Sequence, residues 1–328
     1  MEKRKLGNTG IEISAIGLGC MGMNHAYGVP DDDESLATLE MALDLGINFW
    51  DTADIYANGR NEELVSKVLK PNRKKIFIAT KFGFELDKKS FNTSVNGSPA
   101  YAKKAVEASL KRLQTDVIDL YYAHRIDPNI PLEEMIGGMA DLVKEGKVRF
   151  LGLSEASPNS IKRACAVHQI AALQSEYSLV TREVESDVLP LCKSLGIGFI
   201  PFSPLGRGLV TNTLDINTLG ENDFRKSLPR YQLEFAENNR SLAQALAEIA
   251  AQKGCTPSQI ALAWVLHQGD HIIPIPGTKR RKYLAENAAS ISIKLTSEEL
   301  FQIEIILAKY PNTGARYNEA NLKYVDKN

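Results

Sequence analysis

The 328-residue sequence predicts an α/β fold of one kind, a closed (β/α)8 TIM barrel opened by an N-terminal β-hairpin and carrying extra helices. Two observations lead to it. Short, nearly continuous apolar runs alternate with longer segments whose apolar residues return every three or four positions, the pattern of strands covered on both faces by amphipathic helices. The alternation continues along the chain without a break in composition, which predicts a single domain over residues 1–328 instead of two.

The opening residues alternate short apolar runs around Gly7-Asn8-Thr9-Gly10, which predicts a hairpin, followed by a first buried strand over Ala15–Gly19. A loop, Cys20–Pro30, comes next. The carboxylates of Asp31 to Glu34 favour the positive end of a helix dipole, so a helix is predicted from there to about Leu45, where Gly46 stops it. The alternation then predicts strand Ile47–Trp50 and helix Asn61–Leu69, strand Lys75–Thr80 and helix Pro99–Gln114, and strand Val117–Ala123 and helix Leu132–Glu145. It continues with strand Val148–Leu153 and helix Asn159–Val167, strand Ala171–Ser175 and helix Glu183–Ser194, and strand Gly198–Pro201. Residues 205–240 are polar, turn-rich and poorly periodic, long enough for a functional excursion or lid. Helix Ser241–Gln252 follows. Helix Pro257–Gln268 is announced by Thr256, a capping threonine with proline at the first helical position and glutamine three residues on. Strand Ile272–Ile275 makes the count eight. Helices Lys279–Ala289 and Ser297–Tyr310, the second after a Thr296 cap, end the predicted order.

Composition narrows the function classes. A net charge of −1 provides no overall field for nucleic acid or an anionic membrane, and no partner of either kind is expected. Cys20, Cys165, Cys192 and Cys255 lie far apart without a CxxC pair, which fits reduced thiols in a cytoplasmic protein. No apolar leader or membrane-length apolar run occurs. No metal site is expected, because Gly269 interrupts the helix that would bring His267 and His271 to one face.

In such a barrel, reactive side chains gather at the carboxyl ends of the strands. Asp51 follows the second strand and Tyr56 lies in its loop, while Lys81 ends the third strand and His124 the fourth. Each taken alone has a structural reading, as a helix cap, a core ring, a solvated strand end or a backbone-bonded imidazole. Four at one edge of successive strands favour a site. A phenol with a pKa near 10 is a weak acid, and burial raises it further, so a charged Lys81 held by Asp51 is expected to pull it down. His124 would then donate a hydrogen bond to a substrate carbonyl while Tyr56 protonates the oxygen.

The stretch Ile47-Asn-Phe-Trp-Asp-Thr-Ala-Asp-Ile-Tyr-Ala-Asn-Gly-Arg-Asn-Glu62 resembles the signature of the aldo-keto reductases, NADPH-dependent (β/α)8 enzymes, and the similarity covers nearly the whole chain. His124-Arg125 and Gly152-Leu-Ser-Glu-Ala156 are similar to the perakine-reductase-like and auxin-induced-protein-like branch with its bacterial relatives. The resemblance implies Tyr56 as acid-base catalyst, tuned by Lys81 and Asp51, with His124 orienting the carbonyl. It implies NADPH contacts at Ser154, Glu155, Gln174, Phe202, Ser203, Leu205, Arg207, Gly277, Thr278, Lys279, Arg280, Glu286 and Asn287. The basic run Lys279–Lys282 follows the eighth strand, where barrels place phosphates, and favours NADPH over NADH. Tyr27, Ile55, Phe82 and Arg125 adjoin these positions and are expected to wall the pocket of a small-molecule carbonyl substrate, with loop packing or rim salt bridges as the structural reading.

The sequence Gly17-Leu-Gly-Cys-Met-Gly22 satisfies GxGxxG after a strand, but no helix opens on those glycines, so a Rossmann site is not expected. A non-catalytic NADPH-binding regulatory barrel, resembling channel β-subunits, is the alternative from another class. Only a few residues precede the hairpin, which speaks against it. A barrel aldolase with Lys81 as a Schiff-base lysine would leave Tyr56 and Asp51 without work.

Overall fold

The computed structural model describes residues 1–86 and 93–327. Strands β1 (Lys3–Lys5) and β2 (Glu12–Ser14) pair antiparallel as the opening hairpin. Seven parallel strands follow in one sheet: β3 (Leu18–Gly19), β4 (Phe49–Asp51), β5 (Phe77–Phe82), β8 (Ile118–Ala123), β9 (Val148–Ser154), β10 (Ile170–Glu176) and β11 (Gly198–Phe202). A second antiparallel hairpin, β6 (Phe84–Leu86) and β7 (Thr93–Val95), rises from the end of β5. The predicted eighth strand closes the ring without forming a ladder. Phe199 pairs with Ile272 and Gly19 with Gly277 only as isolated parallel bridges. The cause is in the sequence: Pro274 and Pro276 have no N–H to donate, although their carbonyls still accept from Gly17 and Gly19.

The helices α1 (Asp32–Asp44), α2 (Arg60–Leu69), α3 (Pro99–Leu113), α4 (Leu132–Lys144) and α5 (Pro158–Val167) lie within two residues of expectation. Three helix boundaries depart from it. The helix expected from Glu183 is a 3-10 turn followed by a shorter α6 (Val188–Leu195), because Asp187 leaves helical geometry. Helix α7 (Leu233–Lys253) begins eight residues early. Helix α9 (Arg281–Ala289) starts two residues late, with Arg280 as its cap. Helices α8 (Pro257–His267) and α10 (Ser297–Lys309) open on the predicted capping boxes of Thr256 and Thr296. A short α11 (Glu319–Leu322) in the C-terminal tail had no periodic signal.

Strand alternation divides the apolar residues into two layers. Trp50, Ile78, Phe82, Tyr121, Leu151, Leu173 and Phe199 face the helices. Phe49, Phe77, Ala79, Leu120, Tyr122, Ala172, Ile200, Ile273 and Ile275 fill the barrel, and Leu6 and Ile13 of the hairpin seal its lower end. Gly152 makes room for this inner layer, since a Cβ there would lie 2.4 Å from the Tyr122 ring. The parity continues upward. Asp51 stands two residues beyond Phe49, Lys81 beyond Ala79, His124 beyond Tyr122, Ser154 beyond Gly152, Gln174 beyond Ala172 and Phe202 beyond Ile200. Period-two geometry therefore gathers five polar residues and the Phe202 ring above the apolar plug at the carboxyl end.

Candidate active site

Asp51 and Lys81 lie on adjoining strands, where β4 pairs with β5, and the Lys81 ammonium forms an ion pair with Asp51 in which neither side chain is more than 3% exposed. Lys81 also donates to the Thr52 carbonyl at 2.8 Å, and the Gln174 amide donates to the other Asp51 oxygen at 2.8 Å. Burial pulls Lys81 below and Asp51 above their ordinary pKa values, and each restrains the other's shift. These extra bonds favour the ionised pair.

The Tyr56 loop is pinned independently of its chemistry. Asn61 at the start of α2 accepts from Thr52 and donates to the Cys20 carbonyl. The fully buried Glu62 accepts from Thr80 at 2.7 Å and pairs with Arg112 at 2.6 Å. Ala57 and Asn58 adopt left-handed backbone, and Gly59 follows at φ 87°, where a Cβ would lie 2.6 Å from the Arg112 side chain. Such conformations persist only where the surroundings enforce them. They turn the chain so that the Tyr56 hydroxyl stands 3.5 Å from the Lys81 ammonium.

His124 meets the Tyr56 ring edge-on at 6.1 Å between centroids, and His25 stacks on the same ring at 5.9 Å. Burial, then Arg125 and Lys81, hold the His124 imidazole well below its usual pKa and therefore neutral. The Tyr56 phenol stands well above the usual value, through burial first and the Asp51 charge second. Any lowering by Lys81 is outweighed, since burial and the Asp51 carboxylate paired with that ammonium both act the other way. Arg125 is the neighbour that pulls the phenol down. Asp54, in the same loop, is raised to about 8 by burial and by Glu62.

The residues expected at a cofactor fall into two groups. Ser154 and Gln174 are buried neighbours across β9 and β10, with Phe202 half-buried at the end of β11. Arg280 is exposed at the start of α9, with Thr278 bonded to its backbone. Ser203 has left-handed backbone, while Gly277 and Leu205 lie on the loops beside them. The second group is engaged within the protein. Glu155 accepts from the Glu176 amide at 2.8 Å and pairs with Arg316 at 2.6 Å. Arg207 pairs with Glu176 at 2.7 Å, and Glu286 accepts from the Thr256 cap at 2.7 Å. Asn287 is buried and accepts from Ser290. Lys279 donates to the carbonyls of Tyr27 and Val29 at 2.7 and 2.6 Å, and Glu34 already takes the Arg281 amide and guanidinium at the α9 terminus. Of the two expected cofactor residues in the basic run, Lys279 and Arg280, Arg280 is the exposed one.

Of the expected pocket residues, Ile55 adjoins Tyr56. Tyr27 lies under the Arg225 guanidinium, at 5.2 Å from its ring, in a clasp that also holds Phe224 to the Ala26 carbonyl at 3.0 Å. Phe82, expected at the pocket wall, does not reach it. It is fully buried, stacks on Tyr121 at 5.1 Å, and faces the helices because it follows the inward Lys81 by one residue. Phe84, two residues on, is the phenylalanine that packs edge-on to His124, at 4.9 Å. The C-terminal tail was missed altogether. Its Tyr317 is buried near Tyr56, Tyr324 meets Phe84 at 5.5 Å and donates to the Thr93 carbonyl at 2.7 Å, and Arg316 reaches Glu155. Glu176, holding Arg207 and Arg230, ends β10 just as Asp51 ends β4, so the strand-end rule reaches it.

A phenol, an ammonium–carboxylate pair and a neutral imidazole thus converge where buried amide and hydroxyl groups line the same rim. The aldo/keto reductase family model matches residues 15–308. A probable aldo-keto reductase from Glycine max is 43% identical over 316 residues, covering 95% of this chain and 91% of that protein. Among solved structures, a glycerol dehydrogenase from Gluconobacter oxydans superposes with a TM-score of 0.86 at 30% identity, covering 94% of this chain and 95% of its own. An aldo-keto reductase from Bacillus halodurans gives 0.72 at 29% identity, covering 93% and 96%. With its barrel and a matching model over most of its length, the chain belongs to the aldo/keto reductase family of oxidoreductases.

Proposed function

We propose that this protein reduces small aldehydes or ketones to alcohols with NADPH, and that Tyr56 is the general acid. The observation that carries the reading is the placement of the Tyr56 hydroxyl 3.5 Å from a buried ammonium, with a neutral imidazole against its ring. The donor set suits a nicotinamide. Ser154 and Gln174 offer hydroxyl and amide groups deep in the mouth, Phe202 offers a ring, and Arg280 offers an exposed guanidinium for a 2′-phosphate. Bound there, reduced nicotinamide supplies the hydride.

The protein's own residues do the rest. His124, held neutral, lends an N–H to the carbonyl oxygen without competing for its proton. Tyr56 delivers a proton to that oxygen as charge develops on it, and the Lys81–Asp51 pair fixes the donor's surroundings before substrate arrives. The buried rim excludes bulk water. The direct test is a panel of aldehydes and ketones followed by loss of NADPH absorbance, with the alcohol product identified. No oxidation of NADPH above the substrate-free rate by folded protein would end the reading.

The phosphate assignment has its own test. Arg280→Ala is expected to weaken NADPH about tenfold or more and NADH about twofold at most, as loss of a charge-assisted bond predicts. Lys279→Ala, which frees the loop carbonyls of Tyr27 and Val29, should weaken both alike. Equal losses for both cofactors in Arg280→Ala, measured by fluorescence titration, would remove the phosphate role.

A further inference from the structure

We infer that the preferred carbonyl substrate carries a carboxylate, and that Arg125 receives it. The inference rests on the reductase reading above and names the substrate class within it.

Arg125 is 9% exposed, next to His124 and near enough to Tyr56 to act on its phenol. Its Nη1 donates to the His124 carbonyl at 2.6 Å and to Ser154 Oγ at 3.2 Å, which fixes the guanidinium plane. The face of that plane lies 5.7 Å from the Phe84 ring centroid. Its side-on edge is unused. Nε is buried without a partner, and among the described residues Nη2 donates no hydrogen bond.

The neighbouring cations are matched. Lys81 has Asp51, Arg316 has Glu155, and Arg207 and Arg230 share Glu176. Asp127, two residues along, spends its carboxylate on the amides of Gly97 and Asn129. Among the described residues no carboxylate lies within ion-pair distance of Arg125. A guanidinium keeps its proton at any ordinary pH, so burial cannot be relieved by neutralisation as it can for lysine. Holding one without a counterion is costly, and that cost is recovered when an anion arrives. Nε and Nη2 lie side by side as two parallel donors, the geometry that a planar carboxylate accepts in bidentate fashion, with the buried Nε reached once the packing over it yields. With Tyr56 and His124 at the carbonyl and Arg125 at the far group, the site suits a short aldehyde or ketone acid.

The test compares succinic semialdehyde with its methyl ester, which keeps the carbonyl and removes the charge, in steady-state assays with NADPH. The wild type is expected to favour the acid in kcat/KM by about tenfold to a hundredfold, mostly through KM. Arg125→Gln should abolish that preference, while Arg125→Lys should keep part of it as a point charge without the paired donors. The readout is the acid-to-ester ratio within each protein, so a general loss of activity cancels. A wild-type ratio near one, a preference for glyceraldehyde 3-phosphate over the acid, or an unchanged ratio in Arg125→Gln would overturn the assignment. If good turnover of the ester and of neutral aldehydes accompanies a ratio near one, the reductase reading stands and only the carboxylate falls. If folded protein reduces no carbonyl compound at all, both fall.

Discussion

Tyr56→Phe is expected to lower kcat/KM for aldehyde reduction by about a thousandfold, the range lost with a positioned general acid, while NADPH affinity changes by about twofold at most. The ring is retained, so the contacts with His25 and His124 survive. The lost hydrogen bond to Lys81 is long, at 3.5 Å, and little stability goes with it. Single-turnover reduction with NADPH in excess, run beside cofactor titration, separates the chemical step from binding. Turnover within about threefold of wild type would remove Tyr56 as the proton donor. The pH dependence has a definite sign. A phenol held above its usual pKa by burial and Asp51 keeps its proton through the neutral range. Reduction, which needs the protonated acid, should therefore be flat across neutral pH and fall only toward alkaline pH. Alcohol oxidation, which needs the phenolate as base, should rise over that same alkaline interval.

Much of this site was legible because the barrel converts a one-dimensional rule into a location. A polar residue two positions beyond an inward apolar one on a strand stands above the plug, and Asp51, Lys81, His124, Ser154 and Gln174 all satisfy that count. The same count excludes Phe82, whose odd offset from Lys81 sends it to Tyr121 and the helices, so strand position without parity misleads. Capping signals at Thr256 and Thr296 were local and survived folding unchanged. The start of α7 was hidden because its first turns bury no apolar residue. Asn239 anchors them by donating to the Arg230 and Thr313 carbonyls, a contact with no periodic trace. The tail that brings Tyr317 and Arg316 to the mouth is held by ion pairs and backbone bonds to residues far away in sequence. Arg125 was legible as a neighbour of His124. That it lacks a carboxylate partner among the described residues could be learned only from the fold.

Lys81→Met is expected to cost about 3–5 kcal/mol of stability as well as nearly all reduction, because it strands Asp51 as a buried, uncompensated charge. Asp51 would keep the Gln174 amide at 2.8 Å but lose its ion pair, and the Thr52 carbonyl would lose its donor. The stranded carboxylate, already raised by burial, should then bind a proton at higher pH than in the wild type, so the deficit should shrink on acidification. The sign follows from linkage: a folded-state pKa above the unfolded one favours the native state below the unfolded value and is lost as pH rises through the folded value. Asp51→Asn together with Lys81→Met removes both charges and should recover a large part of the stability, since replacing a buried pair by neutral groups is often nearly free. It should recover none of the activity. Urea unfolding of the two single variants and the double variant at neutral and mildly acid pH, with turnover measured alongside, separates these outcomes. If the double variant regained turnover along with stability, the pair would matter only as a strut. Continued inactivity in a restored fold would place the pair in the chemistry, with the ammonium beside Tyr56 stabilising the phenolate left when a carbonyl oxygen takes its proton.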